Sequence, residues 1–214
     1  MELAEIRRDY SLGGLRRADL DANPIAQFNK WFAQAETALG KNQLDANAMT
    51  LATADKNGKP SARTVLLKNL DERGFVFFTN FGSRKGRELT DNPNAALTFF
   101  WAELERQVCV TGSVTKLPAA ESEKYFQSRP RSSQIGAWAS NQSAPVPNRE
   151  FLEQEWHELE QKFPDAIPLP PNWGGFILSP ERIEFWQGRP SRLHDRFSYS
   201  KQAGGSWKIE RLAP

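Results

Sequence analysis

Residues 48–80 read AMTLATADKNGKPSARTVLLKNLDERGFVFFTN. Polar and apolar residues alternate here with a period near two, and turn signals interrupt them at Lys56-Asn57-Gly58-Lys59 and Asp71-Glu72-Arg73-Gly74. That pattern predicts strands linked by hairpins, the start of a β-meander. Downstream, Ser83 is placed to cap a short basic helix, SRKGRELTDN, and NAALTFFWAELE and RQVCVTGSVTKL supply two further strands. Upstream, the N-terminal segment 1–45 reads helical. Asn23 can cap, Pro24 suits the first helical position, and Ile25, Phe28, Phe32, Ala35 and Leu39 share one face before Gly40. Residues 118–163 read as a helical insertion: Pro118 opens AAESEKYFQSR, Pro130 breaks it, and REFLEQEWHELEQKF is amphipathic. The Pro-rich FPDAIPLPPNW reads as a stiff surface connection. GGFILSP, RIEFWQG, RLHDRFSYS and SWKIERLAP then supply the last strands. Many short strands in one unit over 1–214 predict a mainly β, closed or nearly closed barrel with peripheral helices.

Composition narrows the function classes. The chain's 214 residues, 39% hydrophobic and 25% charged, suit a globular protein rather than a disordered tail. A single cysteine, Cys109, excludes an internal disulfide or a Cys-based zinc cluster, and with two His and two Met no metal site is expected. The start lacks a secretory signal, and the longest nearly apolar run, AALTFFWA, falls well short of the ~18 residues a membrane span needs. A cytoplasmic protein with no membrane partner is the expectation. Lys and Arg exceed Asp and Glu only by 28 to 26, so bulk charge does not announce a nucleic-acid partner. Seven Trp and 14 Phe allow a flat aromatic ligand, though a packed β core needs the same residues.

Three basic clusters stand out. In Arg192-Leu193-His194-Asp195-Arg196, a strand would project Arg192, His194 and Arg196 from one face, calling for an anionic or electron-rich partner. A charged, solvated edge strand accounts for this feature equally well. Tyr125 and Arg129 lie four apart and Ser133 follows the Pro130 break, a set suited to gripping a phosphate. Taken alone, such a pair is usually a surface contact. Arg63 and Lys68 bracket RTVLLK with opposite parity, so they should hold different groups unless a bulge intervenes. Arg84 and Lys85 oppose the dipole of the helix they open unless an anion binds there. No G-x-G-x-x-G, Walker loop or H-E-x-x-H is present. His157 reads as surface, and Cys109 as an inert thiol on an apolar strand.

The ordered strings RTVLLK, GFVFFTNFGSRKGREL, ERQV, KYFQSRPRSSQIGAWAS, NQS, WGGF, IEFWQG, RLHDRF and WKIERLAP, running from Ile6-Arg7-Arg8-Asp9-Tyr10 to Pro214, closely resemble the bacterial pyridoxine/pyridoxamine 5′-phosphate oxidase family. The resemblance implies an FMN-binding split β-barrel and a homodimer with FMN at the subunit interface. It also implies oxidation of pyridoxamine 5′-phosphate or pyridoxine 5′-phosphate to pyridoxal 5′-phosphate, with O2 as acceptor and H2O2 as product. By motif position, FMN contacts fall on Arg63, Thr64, Val65, Leu66, Leu67, Lys68, Phe78, Thr79, Arg84, Lys85, Gln107, Gln142, Ser143, Trp186 and Arg196. Substrate contacts fall on Arg7, Tyr10, Lys68, Tyr125, Arg129, Ser133, Arg192, Leu193 and His194, with Arg192 and His194 as the catalytic pair. Phe78 stands where relatives commonly carry Tyr. Rivals on the same barrel are a flavin reductase and a non-catalytic FMN or pyridoxal phosphate carrier; a nucleic-acid module would need a stronger basic groove.

Overall fold

The computed structural model describes residues 9–40 and 45–214. In it β1 (Ala48–Ala54) and β2 (Pro60–Leu66) form the expected antiparallel hairpin, from Ala48 opposite Leu66 to Ala54 opposite Pro60. The Asp55 carboxylate closes the turn by accepting from the Asn57 and Lys59 N–H groups, both at 2.9 Å, and Gly58 supplies a φ of +80° that a side chain would resist.

Beyond Leu66 the meander expectation fails. β3 (Asn69–Asp71) pairs with β4 (Gly74–Asn80), while the strand order β2-β1-β5-β6-β7-β4-β3 puts β2 and β3 at opposite ends of the path. Only Leu67 and Lys68 separate the two strands, a link spanning about 11 Å at most. The ends of the sheet must therefore lie side by side, so the sheet curls on itself. The link is stitched across the seam: the Leu67 N–H donates to the Asn47 carbonyl at 2.9 Å and the Lys68 N–H to the Val76 carbonyl at 2.8 Å. Alternation sets which face of a strand is buried and leaves its partner open, which is why the pattern suggested a simple meander.

β5 (Asn94–Trp101) and β6 (Arg106–Lys116) form a hairpin, and GGFILSP and RIEFWQG prove to be parts of one long strand, β7 (Trp173–Gln187). One edge of β7 carries β6; the other is shared by β4 near its start and by β8 (Asp195–Lys201) near its end, with β9 (Trp207–Leu212) beyond β8. The β6–β7 register shifts at Thr111/Gly112. A Cβ on Gly112 would lie 2.0 Å from the Ser179 carbonyl oxygen, so only glycine allows the strands to approach at this bend.

Helix α1 (Pro24–Gly40) starts at Asn23, whose side-chain oxygen accepts from the Ile25 N–H at 2.8 Å, and buries Phe28, Trp31, Ala35 and Leu39. The Phe28 ring lies 4.9 Å from Phe99 and 5.1 Å from Phe75, and Trp31 lies 5.2 Å from Phe185, so α1 plugs the curled sheet with aromatic rings. Burying one such side chain contributes about 1.5–3 kcal/mol. Helix α2 (Arg84–Asp91) is capped by Ser83 as expected, with the Gly86 N–H donating to the hydroxyl at 3.2 Å. Helices α3 (Ala119–Gln127), α4 (Arg131–Ala139) and α5 (Arg149–Lys162) occupy the region read as helical and share a smaller core of Phe126, Ile135, Ile167 and Trp173. The Pro-rich stretch runs over the surface as expected, with Pro164, Asp165, Ala166, Pro168, Pro171 and Asn172 exposed, and is anchored in that core at Ile167 and Trp173, with Pro170 buried between them. Ile167 is buried, Trp138 Nε1 donates to the Pro168 carbonyl, and Arg131 Nη1 donates to the Asp165 carbonyl, each at 2.7 Å. Among the described residues, no helix is long and apolar enough to cross a membrane.

Candidate active site

A cavity of about 630 Å³ opens where β2, β4, α2, α3 and α4 converge. β2 and its exit supply Arg63, Thr64, Val65, Leu66 and Lys68; β4 supplies Phe78, Thr79 and Asn80; Lys85, Gln142 and Trp173 close the rest. Arg63 and Lys68 share this cavity despite their opposite parity because β2 ends at Leu66 and Lys68 lies in the link, free of strand alternation. Leu67 faces the core, where it is buried among apolar side chains.

One side of the cavity is cationic. Lys85 is nearly buried and donates to two neutral oxygens, Thr79 Oγ1 at 3.2 Å and Gln142 Oε1 at 3.1 Å. Burial, and then the Arg63 guanidinium, lower the Lys85 ammonium below its usual pKa, as expected of cations awaiting an anion. Arg63 Nη1 donates to Thr53 Oγ1 at 2.5 Å, and its Nη2 lies 3.3 Å from Glu88 Oε2. Arg84 does not line the cavity; it sits beside it, with Nε 2.8 Å from Glu88 Oε1. Burial pushes the Glu88 carboxyl up, but hydrogen bonds from Ser61, Thr53 and Arg84 outweigh it and bring its pKa to about 2.

The other side is an aromatic stack that carries the second cluster. Tyr125 stacks on Phe78 with centroids 3.8 Å apart and planes 18° from parallel, and Phe78 stacks on Trp173 at 5.4 Å. The Arg129 guanidinium lies 4.9 Å over the Trp173 ring. Its Nη1 is buried without a hydrogen-bond partner, and burial lowers its pKa. Ser133, from the first turn of α4, lines the same space. A buried guanidinium N–H left unmade beside a phenol, a hydroxyl and Lys68 is a site built for an anion.

The remaining expected residues gather elsewhere. Gln107, Trp186 and Arg196 form one row across β6, β7 and β8. Tyr10 and His194 pack on Trp186, at 5.5 Å and 4.7 Å between ring centroids. Arg196 is held by Glu184 at 2.8 Å, which raises its pKa. Arg192, His194 and Arg196 do not alternate along one strand, because β8 begins only at Asp195 and residues 190–192 form a 3₁₀ turn. Ser191 and Arg192 have φ of 57° and 61°, values that side chains rarely adopt, and the Arg189 N–H donates to His194 Nδ1 at 3.1 Å. Leu193 is exposed on this turn. Ser143, with φ 73°, follows Gln142 without lining the cavity, and Arg7 lies outside the described residues. His157 is exposed; Cys109 is half-buried, with its thiol pKa raised by burial.

Sequence reasoning missed Trp173 and Glu88 as site residues. The Trp-Gly-Gly start of β7 and the i,i+4 spacing of Arg84 and Glu88 were the available signals.

The chain is similar to known proteins over almost its whole length. Residues 37–163 match the family model described as pyridoxamine 5′-phosphate oxidase, and residues 173–214 match the pyridoxine 5′-phosphate oxidase C-terminal dimerisation region. The chain is 59% identical to pyridoxine/pyridoxamine 5′-phosphate oxidase of Ralstonia pickettii, over 99% of each chain, and 55% identical to the Nostoc punctiforme protein of that name, over 99% of this chain and 98% of that one. Among solved structures it resembles PhzG from Burkholderia lata in complex with tetrahydrophenazine-1-carboxylic acid, with a TM-score of 0.87, 32% identity, and 95% of this chain and 100% of that one covered. An FMN-binding protein from Nostoc punctiforme, with a TM-score of 0.72 and 19% identity over 91% of this chain and 100% of that one, shares the fold, a split barrel.

Proposed function

Because this chain belongs to the pyridoxine/pyridoxamine 5′-phosphate oxidase family, we propose that it is an FMN-dependent oxidase that converts pyridoxamine 5′-phosphate or pyridoxine 5′-phosphate to pyridoxal 5′-phosphate, with dioxygen as acceptor and hydrogen peroxide as product. The observation that carries this reading is the buried, unpartnered Nη1 of Arg129, set in a cavity whose opposite side carries the separate cations Arg63 and Lys85. Two spaced anion grips around a flat aromatic cleft fit two phosphorylated aromatic molecules held together.

The donor set fits FMN. Arg63 and Lys85 on the cavity wall, with Thr79 and Gln142 and with Arg84 beside them, would hold the flavin phosphate. Lys68, Tyr125, Arg129 and Ser133 hold the substrate phosphate. When bound, FMN supplies the two-electron oxidation and passes those electrons on to dioxygen. What the protein contributes is placement: the phosphate grip fixes the substrate against the flavin, and orientation of this kind accounts for a large part of a rate enhancement. Arg192 and His194 flank the substrate ring. His194 Nδ1 already accepts the Arg189 N–H, which leaves Nε2 as the nitrogen through which His194 would position the ring.

The group around Trp186 belongs to the partner's site. Trp173 lines the cavity while Trp186 lies 13 residues along the same strand, roughly 40 Å by its course. That separation supports a homodimer in which Gln107, Trp186, Arg192, His194 and Arg196 of one copy complete the cavity of the other, with FMN at the interface. Residues 1–214 work as one split-barrel unit in this arrangement, and a cytoplasmic location suits it. The test is direct: record the visible spectrum of the purified protein, add pyridoxamine 5′-phosphate in air, and follow pyridoxal 5′-phosphate and peroxide. Both products are expected. A yellow protein forming no aldehyde would point to a reductase or carrier, and one that FMN cannot reconstitute would refute the proposal.

A further inference from the structure

Glu88 does not itself line the cavity, yet it holds Arg63, which does, and Arg84 beside it. Its Oε2 accepts from Thr53 Oγ1 at 2.5 Å and Ser61 Oγ at 2.6 Å and lies 3.3 Å from Arg63 Nη2; its Oε1 accepts from Arg84 Nε at 2.8 Å. Thr53 and Ser61 in turn accept from Arg63, whose Nη1 and Nη2 donate to their hydroxyls. The carboxylate is therefore the hub of a closed network that holds one guanidinium from β2 and one from α2. Its side chain is 7% exposed. We propose that Glu88 is a positioning residue for the flavin phosphate, fixing Arg63 and Arg84 in their binding geometry before the cofactor arrives.

This inference rests on the reading of Arg63, Arg84 and Lys85 as the flavin phosphate site. Two lines of physical chemistry support it. Arginine loses much side-chain freedom when it is immobilised, and a network that has already ordered it removes that loss from the binding step. The charges also match: three cations against one carboxylate leave two positive charges, close to the about −1.5 to −2 of a phosphate monoester at neutral pH. A carboxylate serving only to neutralise Arg63 would weaken phosphate binding, so the two roles predict opposite signs.

The experiment compares FMN with riboflavin, which differ only in the phosphate. Apoproteins of the wild type and of Glu88→Gln are titrated with each, following quenching of flavin fluorescence. Glu88→Gln should weaken FMN binding by about tenfold, the loss typical when an outer partner that orients a binding residue is removed, and leave riboflavin binding unchanged. Glu88→Asp, which keeps the charge, should recover most of the preference for FMN. If Glu88→Gln does not fold, Ser61→Ala removes one of the two hydroxyls joining Glu88 to Arg63 and should show a smaller loss of the same kind. FMN affinity that is unchanged or raised overturns the proposal, and so does an equal loss for both flavins, which would mark a merely structural role. A wild-type protein without preference for FMN over riboflavin would overturn the phosphate site itself, and this proposal with it.

Discussion

Replacing Arg129 with leucine separates what the buried guanidinium does for the fold from what it does for the substrate. In the free protein its Nη1 is buried and unpartnered, a condition that costs about 1–3 kcal/mol. Its stacking 4.9 Å over Trp173 returns about 0.5–2 kcal/mol. Arg129→Leu removes both contributions and places an aliphatic side chain against Trp173 and Phe126, so the net effect should fall between a loss of about 1 kcal/mol and a gain of about 2.5 kcal/mol in stability. With substrate bound, the guanidinium makes charge-assisted hydrogen bonds worth about 1.5–3 kcal/mol, equivalent to a rise of about 10- to 150-fold in KM. The phosphate is not the reacting group, so kcat should stay within a few-fold of wild type. Denaturant titration measures the first quantity and initial rates of pyridoxal 5′-phosphate formation the second. A tenfold fall in kcat with KM unmoved, or a loss of several kcal/mol in stability, would refute the reasoning.

Mixing Arg129→Leu with Arg192→Ala subunits should restore activity if each site draws on both copies: random exchange makes half the dimers hybrids, each with one intact site, for about a quarter of the wild-type rate at low substrate. No recovery after verified subunit exchange would show that both residues act within one chain. Trp173→Ala removes the ring that stacks on Phe78 and underlies Arg129, and should cost about 3–5 kcal/mol in denaturant unfolding; a cost below 1 kcal/mol would mean the stack is not part of the core. Glu88 sits at about pKa 2 in the folded protein against an ordinary 4.5, so the stability it contributes is complete above pH 4.5 and is lost as the pH falls towards 2. Glu88→Gln should therefore flatten the loss of stability in that window, measured by thermal melts from pH 5 to pH 2.5, whereas an unchanged slope would count against the depressed carboxyl.

Local signals determined the helices and hairpins directly. Asn23-Pro24 started α1, Ser83 capped α2, and Asn57-Gly58 turned β1 into β2, because capping and turn chemistry act within a few residues of sequence. The Tyr125, Arg129 and Ser133 set was legible because the three lie within nine residues, although α3 ends at Gln127, so Arg129 reaches the cavity from the turn before α4 and not from the helix that carries Tyr125. The RLHDR stretch misled because it has a strand's alternation, while the chain turns through residues 190–192 with two positive φ values that no periodicity records.

Amino-acid order by itself determined that this chain forms amphipathic helices and half-buried strands, and that its motif strings belong to a known oxidase family. Tertiary structure alone decided that β2 and β3 lie at opposite ends of a curled sheet, that Lys68 joins Arg63 in one cavity, that Glu88 ties two arginines together, and that Arg129 is left with an unmade hydrogen bond. The division is physical. Propensity, capping and alternation are properties of neighbouring residues, whereas strand partners and the satisfaction of a buried charge depend on what the rest of the chain brings within a few ångströms.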